Sequence, residues 1–549
     1  MKINKFDTSL ISLISSNKLE SFLSCNIIAR LRQSTKGLTR LSFRLLVLEL
    51  NPFWIQLAYF VILSFFGYVA LKISKPRTSL KPKDLDLFLT SVSSATVSSM
   101  GTVEMEVFSN TQLVIMTILM LTGGEVFVSM LGIQLSRFKL TKSSGGIVEA
   151  SDLSSTSTAD HQMIELSSVP TPIKENKNLD IEIQKDNKNS MPIDGMTKYN
   201  SIKCLGYVVL GYMLVVHIFG YTLVTMYTTL VPSANQVLKN KAIEIPTFAV
   251  FTVVSTFANC GFVPTNENMI VFKKNSGLLL ILIPQILVGN TLYPSCLRFS
   301  IWFLWKTTKR KEFDYMLRNY EEMGYSSLLS AVHSSLLAVT VFGFMLVQFV
   351  LFCALEWNSE IMDGLNPYQK LMASLFEITN SRHTGESVFD LSTITPAILV
   401  LFVVMMYLPP HTSFFSTEDQ NKLSKNRRQN HSPSERKSFV ECMVFSPLSY
   451  ISIFVILICI TERAKMKKDP LNFNVLNIVI EVVSAYGNVG FSTGYSCKRQ
   501  LQPESDCIDK WYGFAGRWSA KGKSILILVM LFGRLKKFTL QGGKAWVLS

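Results

Sequence analysis

Apolar stretches of about 20 residues, the length a helix needs to cross a bilayer core, recur along the chain in pairs. Four pairs can be drawn, at 53–73 and 111–135, 204–228 and 276–298, 332–355 and 391–408, and 443–462 and 523–540. Between the members of each pair lies a shorter stretch mixing apolar residues with Ser and Thr, at 84–101, 244–263, 366–386 and 471–492. These are too short and too polar to span. They suit re-entrant helices that enter the membrane and return through a loop, an arrangement tolerated at that depth only where protein or a watery cavity covers the backbone. The pattern predicts an all-α polytopic membrane protein: eight transmembrane helices and four re-entrant pore helices, in four helix–pore loop–helix repeats around a central pore.

Each short stretch ends near a glycine. Aligned on these glycines, the chain reads SSMGTV at Gly101, ANCGFV at Gly261, RHTGES at Gly385 and GNVGFS at Gly490. Glycine adopts positive φ without a Cβ penalty, so such loops can turn successive carbonyls the same way. Four of them around one axis would form rings of oxygens able to replace the hydration shell of a monovalent cation. Pore helices aiming their C-terminal, partially negative ends at the axis would favour a cation there. The expected selectivity filter comprises these glycines with Ser99, Met100, Asn259, Cys260, His383, Thr384, Asn488 and Val489. His383 is expected to support its loop from behind, and His217, alone in an apolar helix, to be a packed side chain.

Polar segments divide the chain into a cytosolic arm (1–50), repeat A (51–140), a linker (141–200), repeat B (201–305), a cytosolic loop (306–330), repeat C (331–411), a second loop (412–440), and repeat D with a C-terminal tail (441–549). The linker is rich in Ser, Thr, Asn, Lys and Glu and poor in aromatics, which predicts disorder. An even number of spans puts both termini on one side. Lys2, Lys5, Lys18, Arg30, Arg32, Lys36, Arg40 and Arg44 in the arm, KTTKRK at 306–311 and KNRR at 425–428 make that side the cytosol. Lys75, Arg77, Lys81, Lys83 and the 463–468 cluster run against this tally.

Composition narrows the function. Of 549 residues 48% are hydrophobic, and the mean hydropathy is +0.29, too apolar for a soluble domain of this size. The net charge of +15 comes without a basic patch interleaved with aromatics, so it reads as loops at an anionic lipid leaflet rather than a nucleic-acid surface. HEXXH and P-loop motifs are absent, and the cysteines show no CxxC or zinc spacing. No enzyme activity, cofactor or protein-held metal is expected; any Na+ or K+ would meet filter carbonyls alone. Cys497 and Cys507 share one polar outer loop, compatible with a disulfide or with two free thiols.

With VSSMGTVEMEVFSNTQL, FANCGFVPTNENM, NSRHTGES, SAYGNVGFSTGYSC, GRLKKF and GGKAW, the chain resembles the plant high-affinity potassium transporter (HKT) family of the Trk/Ktr/HKT superfamily, from near residue 50 to its end. The resemblance implies four repeats around one pore per subunit, passive uptake of sodium or of sodium and potassium, a plasma-membrane location, and a homodimer. In the subfamily most like the flanking sequence the first filter position is usually serine, associated with sodium selectivity. Aligning on Gly101 puts glycine there, which predicts potassium permeability as well, lowered by Gly101→Ser. Arg534 matches the superfamily's GRL motif, which suggests a place on the permeation path below the filter, limiting flux or holding a gate; a snorkelling interfacial arginine is the alternative. Glu104 and Glu106 could concentrate cations at the outer mouth or anchor their loop by hydrogen bonds. Glu125 and Glu377 are expected to be structural.

Competing functions are the ion-translocating subunit of a Kdp-like pump, which would need a separate ATPase, and a non-transporting scaffold. A voltage-gated channel is disfavoured because no segment carries Arg or Lys at every third residue.

Overall fold

The computed structural model describes residues 52–79, 81–134, 191–409, 447–501 and 507–539. The N-terminal arm, most of the linker, the 425–428 cluster and GGKAW lie outside the described residues. The chain divides into two compact units, Met1–Tyr59 and Phe60–Ser549. In the first, the described part is the opening of one helix; everything below concerns the second.

The described residues are helical, with no strand among them. Twelve helices carry the architecture: α1 (Pro52–Ile73), α2 (Asp84–Ala95) and α3 (Asn110–Gly123); α4 (Met191–Leu230), α5 (Ile245–Ala258) and α6 (Ser276–Gly289); α7 (Ala331–Glu356), α8 (Pro367–Asn380) and α9 (Pro396–Tyr407); α10 (Pro447–Thr461), α11 (Val475–Gly487) and α12 (Ala520–Thr539). The middle member of each trio is the pore helix. Local chemistry sets their starts. Ser109 and Gln112 form a capping box on α3, as Asn366 and Gln369 do on α8, and Asn474 accepts from the Asn477 amide at the start of α11. Pro396 opens α9 at a position where a missing N–H costs nothing.

Packing closes the four trios into a ring. The pore helix α5 packs on α3 of the preceding repeat, α8 on α6, α11 on α9, and α2 on α12, so the last repeat meets the first. At three of these repeats a glycine in the second membrane helix lets the pore helix approach closely. A Cβ on Gly123 would stand 1.9 Å from the Ala95 carbonyl oxygen, one on Gly289 2.0 Å from that of Phe257, and one on Gly533 2.2 Å from that of Tyr486.

Several boundaries differ from expectation. The segment 276–298 is two helices, with α6 bending by 84° into Tyr293–Thr308, and 111–135 bends by 54° from α3 into Glu125–Gln134. Pro294 in the first turn of the second helix and Asn290 at φ −138°, ψ −93° mark the former break. The linker's expected end, 191–200, is helical: it is the first part of α4. Pro232–Asn240 leads into α5 through a 99° bend. By length and composition, three helices among the described residues can cross a membrane alone, and up to six if each bent pair is counted as one span. The helices α9 and α10 have only 12 and 15 residues, and Lys521, Lys523 and Arg534 interrupt the apolar run of α12.

Candidate functional site

Each pore helix runs into a loop at the centre of the ring, and three loops share one backbone design. Val97, Asn259 and Asn488, at φ 51°, 60° and 54°, end their helices in the left-handed region. The amides of the next residues, Ser98, Cys260 and Val489, turn back to the carbonyls of Ser93, Ser255 and Ser484 at 2.8, 2.8 and 3.0 Å. The following residue takes positive φ again: Ser99 at 51°, Gly261 at 102° and Gly490 at 105°. The amides of Gly261 and Gly490 each donate to the hydroxyl of the same serine, at 3.0 Å. A Ser or Thr stands six residues before each filter position, as 93 to 99, 255 to 261, 379 to 385 and 484 to 490.

This geometry corrects the first quadrant. The counterpart of Gly261 and Gly490 is Ser99, and Gly101 lies two residues further out. Gly101 has no positive φ, and a Cβ on it would meet one ordinary contact, Phe262 at 3.6 Å. Around the axis the close neighbours are instead Ser99, Gly490, Gly385 and Gly261. A Cβ on Gly490 would stand 2.3 Å from the Ser99 Cβ, and one on Gly261 2.1 Å from the Gly385 nitrogen. The expectation of potassium permeability drawn from Gly101 therefore loses its basis.

Side chains hold the loops from behind. Asn259 Nδ2 donates to the Phe257 and Ile286 carbonyls at 2.9 and 3.3 Å. Asn488 Nδ2 donates to Ser98 Oγ at 2.7 Å and to the Met530 carbonyl at 3.2 Å. Met100 and Val489 belong to the large buried cluster and Cys260 to a smaller one, so these three contribute apolar backing. His383 is fully enclosed between the Thr379 carbonyl and the Thr291 hydroxyl, both at 2.8 Å, away from the axis. Thr384 is buried beside Gly385. His217 packs on Phe257 at 4.5 Å between ring centroids.

Glu377, expected to be structural, and three residues not singled out in the sequence complete the frame. Asn268 Nδ2 donates to the Gly385 carbonyl at 2.8 Å. Glu377 accepts from the Val388 amide at 2.8 Å, and Glu481 from the Ala515 amide at 2.9 Å. Glu386, completely buried, accepts from Thr256 of α5. The sequence signal for them is a polar residue in or beside a re-entrant helix, where each one needs a partner.

Next to Ser99, Gly261, Gly385 and Gly490 opens a vestibule whose lining also includes Glu267, Asp390, Asp509, Arg499 and Lys510. Glu104 pairs with Lys510 at 3.3 Å and Glu106 with Lys241 at 2.6 Å, while Lys241 also meets Glu267 at 2.5 Å. Burial opposes the Lys241 charge, but the hydrogen bonds and attraction of the two glutamates outweigh it and raise its pKa. Both loop glutamates thus anchor the first loop, to repeat D and repeat B respectively. Cys497 and Cys507 are joined as a disulfide in the vestibule-forming loop. Arg534 Nη2 donates to the Gly123 carbonyl at the bend after α3, and its guanidinium lies 5.5 Å from the Phe60 ring centroid.

A family model for TrkH, cation transport protein, matches residues 183–540. The chain is 50% identical over 484 residues to Sodium transporter HKT1 of Arabidopsis thaliana, covering 87% of this chain and 92% of that one. It is 47% identical over 544 residues to Cation transporter HKT1;3 of Oryza sativa subsp. japonica, covering 98% and 99%. Among solved structures, the potassium transporter TrkH from Vibrio parahaemolyticus aligns over 90% of this chain and 85% of that one, at 15% identity and a TM-score of 0.48.

Proposed function

Since the chain belongs to the HKT family of cation transporters, within the TrkH cation transport proteins, we propose that it conducts sodium passively through the centre of its four loops and favours sodium over potassium. The observation that carries this reading is Ser99 in the position that glycine fills at 261, 385 and 490. A serine Cβ crowds one quarter of the ring, where a Cβ on the neighbouring Gly490 would stand only 2.3 Å away. Potassium, the larger ion, loses most from that crowding. The relatives named for sodium and for cations support the ion class.

The site would work as a set of fixed backbone dipoles: ions shed water against carbonyls, with the loops held by Ser255, Ser484, Asn259, Asn488 and Asn268. Entry through the vestibule, a plasma-membrane location, cytosolic termini and a homodimer with one pore per chain complete the reading, supported by the basic arm and the family resemblance.

The test is two-electrode voltage clamp of oocytes expressing the chain, with bath sodium and potassium varied independently. Ser99→Gly is expected to raise potassium permeability relative to sodium by roughly fivefold, about 1 kcal/mol. An unchanged reversal-potential shift on exchanging the two ions would refute the assignment. Cation currents from this chain alone also separate it from a pump subunit that needs an ATPase and from a scaffold.

A further inference from the structure

Glu386 follows a filter glycine directly and is completely buried. Its Oε1 accepts from the Thr256 hydroxyl at 2.5 Å, and its Oε2 has no hydrogen-bond partner among the described residues. Thr256 lies in the last turn of the pore helix α5, one residue after the Ser255 that holds the Gly261 amide. Thr90 on α2 and Thr379 on α8 turn their hydroxyls onto their own helix, donating to the Asp86 and Leu375 carbonyls. Thr256 instead donates across the boundary between repeats B and C.

A second link runs beside it, since the Gly385 amide donates to the Cys260 carbonyl at 3.4 Å. That bond is long, and a further side-chain link between the two repeats, from Asn268 Nδ2, reaches the Gly385 carbonyl at 2.8 Å. The carboxylate–hydroxyl bond is shorter and buried from water, where a hydrogen bond is worth more than at the surface. Glu386 is not among the residues lining the vestibule, whereas Gly385 and Ser387 on either side of it are. Its carboxylate therefore stands behind the ring, and the permeating ion does not meet it.

We propose that Glu386 and Thr256 form a strut between repeats B and C that fixes the spacing of Gly385 from Gly261 and thereby sets ion discrimination. Glu386 is a positioning residue, acting through the two glycines. The inference rests on the reading of Ser99, Gly261, Gly385 and Gly490 as the filter. What the strut requires is one acceptor oxygen at position 386 and one donor hydroxyl at position 256; charge at 386 is not required.

The experiment is the same reversal-potential measurement at matched surface expression, on Glu386→Ala, Glu386→Gln, Thr256→Val, Thr256→Ser and the Glu386→Ala/Thr256→Val double variant, with Ser99→Gly alongside. Loss of one buried hydrogen bond is expected to change the potassium-to-sodium permeability ratio about 2- to 10-fold in Glu386→Ala and in Thr256→Val. The double variant should shift no further than either single one, because both remove the same bond. Glu386→Gln and Thr256→Ser, which keep an acceptor and a donor, should stay near the unsubstituted ratio. If Glu386→Ala does not reach the surface, the contrast between Thr256→Val and Thr256→Ser decides the question. A shift in Ser99→Gly with none in Thr256→Val overturns the strut and leaves the filter reading standing. Equal shifts in Glu386→Gln and Glu386→Ala overturn it by showing that charge is what matters. No shift in any variant, Ser99→Gly included, overturns the filter reading itself.

Discussion

A serine placed at Gly101 would find room: the position lacks positive φ and its nearest neighbour would be at van der Waals distance. Gly101→Ser should therefore leave the sodium-to-potassium permeability ratio within about twofold, small beside the change expected at Ser99. Gly261→Ala is the opposite case. Its Cβ would stand 2.1 Å from a backbone nitrogen, at φ 102°, so current should disappear even where immunolabelling shows normal surface expression. The sequence made the four loops legible but misplaced the first register, because a search for glycine cannot see a serine held in the left-handed region. That conformation costs a non-glycine residue about 1–2 kcal/mol, and here surrounding packing imposes it. The legible cue was the Ser or Thr six residues upstream, whose role becomes visible only when its hydroxyl and carbonyl meet the loop amides.

At the scale of elements, the re-entrant helices were readable because each stretch is too short to span and mixes apolar residues with Ser or Thr. The breaks after Gly123 and Gly289 were not, since hydropathy continues through a bend and periodicity reports burial rather than axis direction. At both points a pore-helix carbonyl approaches a glycine, a contact between segments about 30 residues apart. Gly533 makes the same contact without breaking its helix. Gly533→Ala would push α12 off the Tyr486 carbonyl, now 2.2 Å from where its Cβ would stand. Overpacking of this kind costs about 1–3 kcal/mol, to be read as a lowered melting temperature of the detergent-solubilised protein against the unsubstituted chain. A melting temperature equal to that of the unsubstituted chain would show that the contact has slack.

Across the whole molecule, the ring must be closed between the last repeat and the first, and two charged side chains of α12 sit on that seam. Lys523 meets Asp86 at 2.7 Å near the start of α2, while Arg534 reaches the Gly123 carbonyl at the C-terminal end of α3. A helix C-terminus carries partial negative charge and unsatisfied carbonyls, so a guanidinium there neutralises both and steadies the bend. This contact accounts for the arginine in α12 by an anchoring role at the bend after α3. Arg534→Gln keeps a donor but removes the charge, which should loosen the C-terminal end of α3 and leave Ser99, Gly261, Gly385 and Gly490 where they are. Current amplitude at matched surface expression is therefore expected to change by at least about threefold, with the reversal potentials in sodium and potassium unaltered. A shifted reversal potential would mean that the seam and the filter move together. Unchanged currents would mean that the guanidinium charge contributes nothing to conduction.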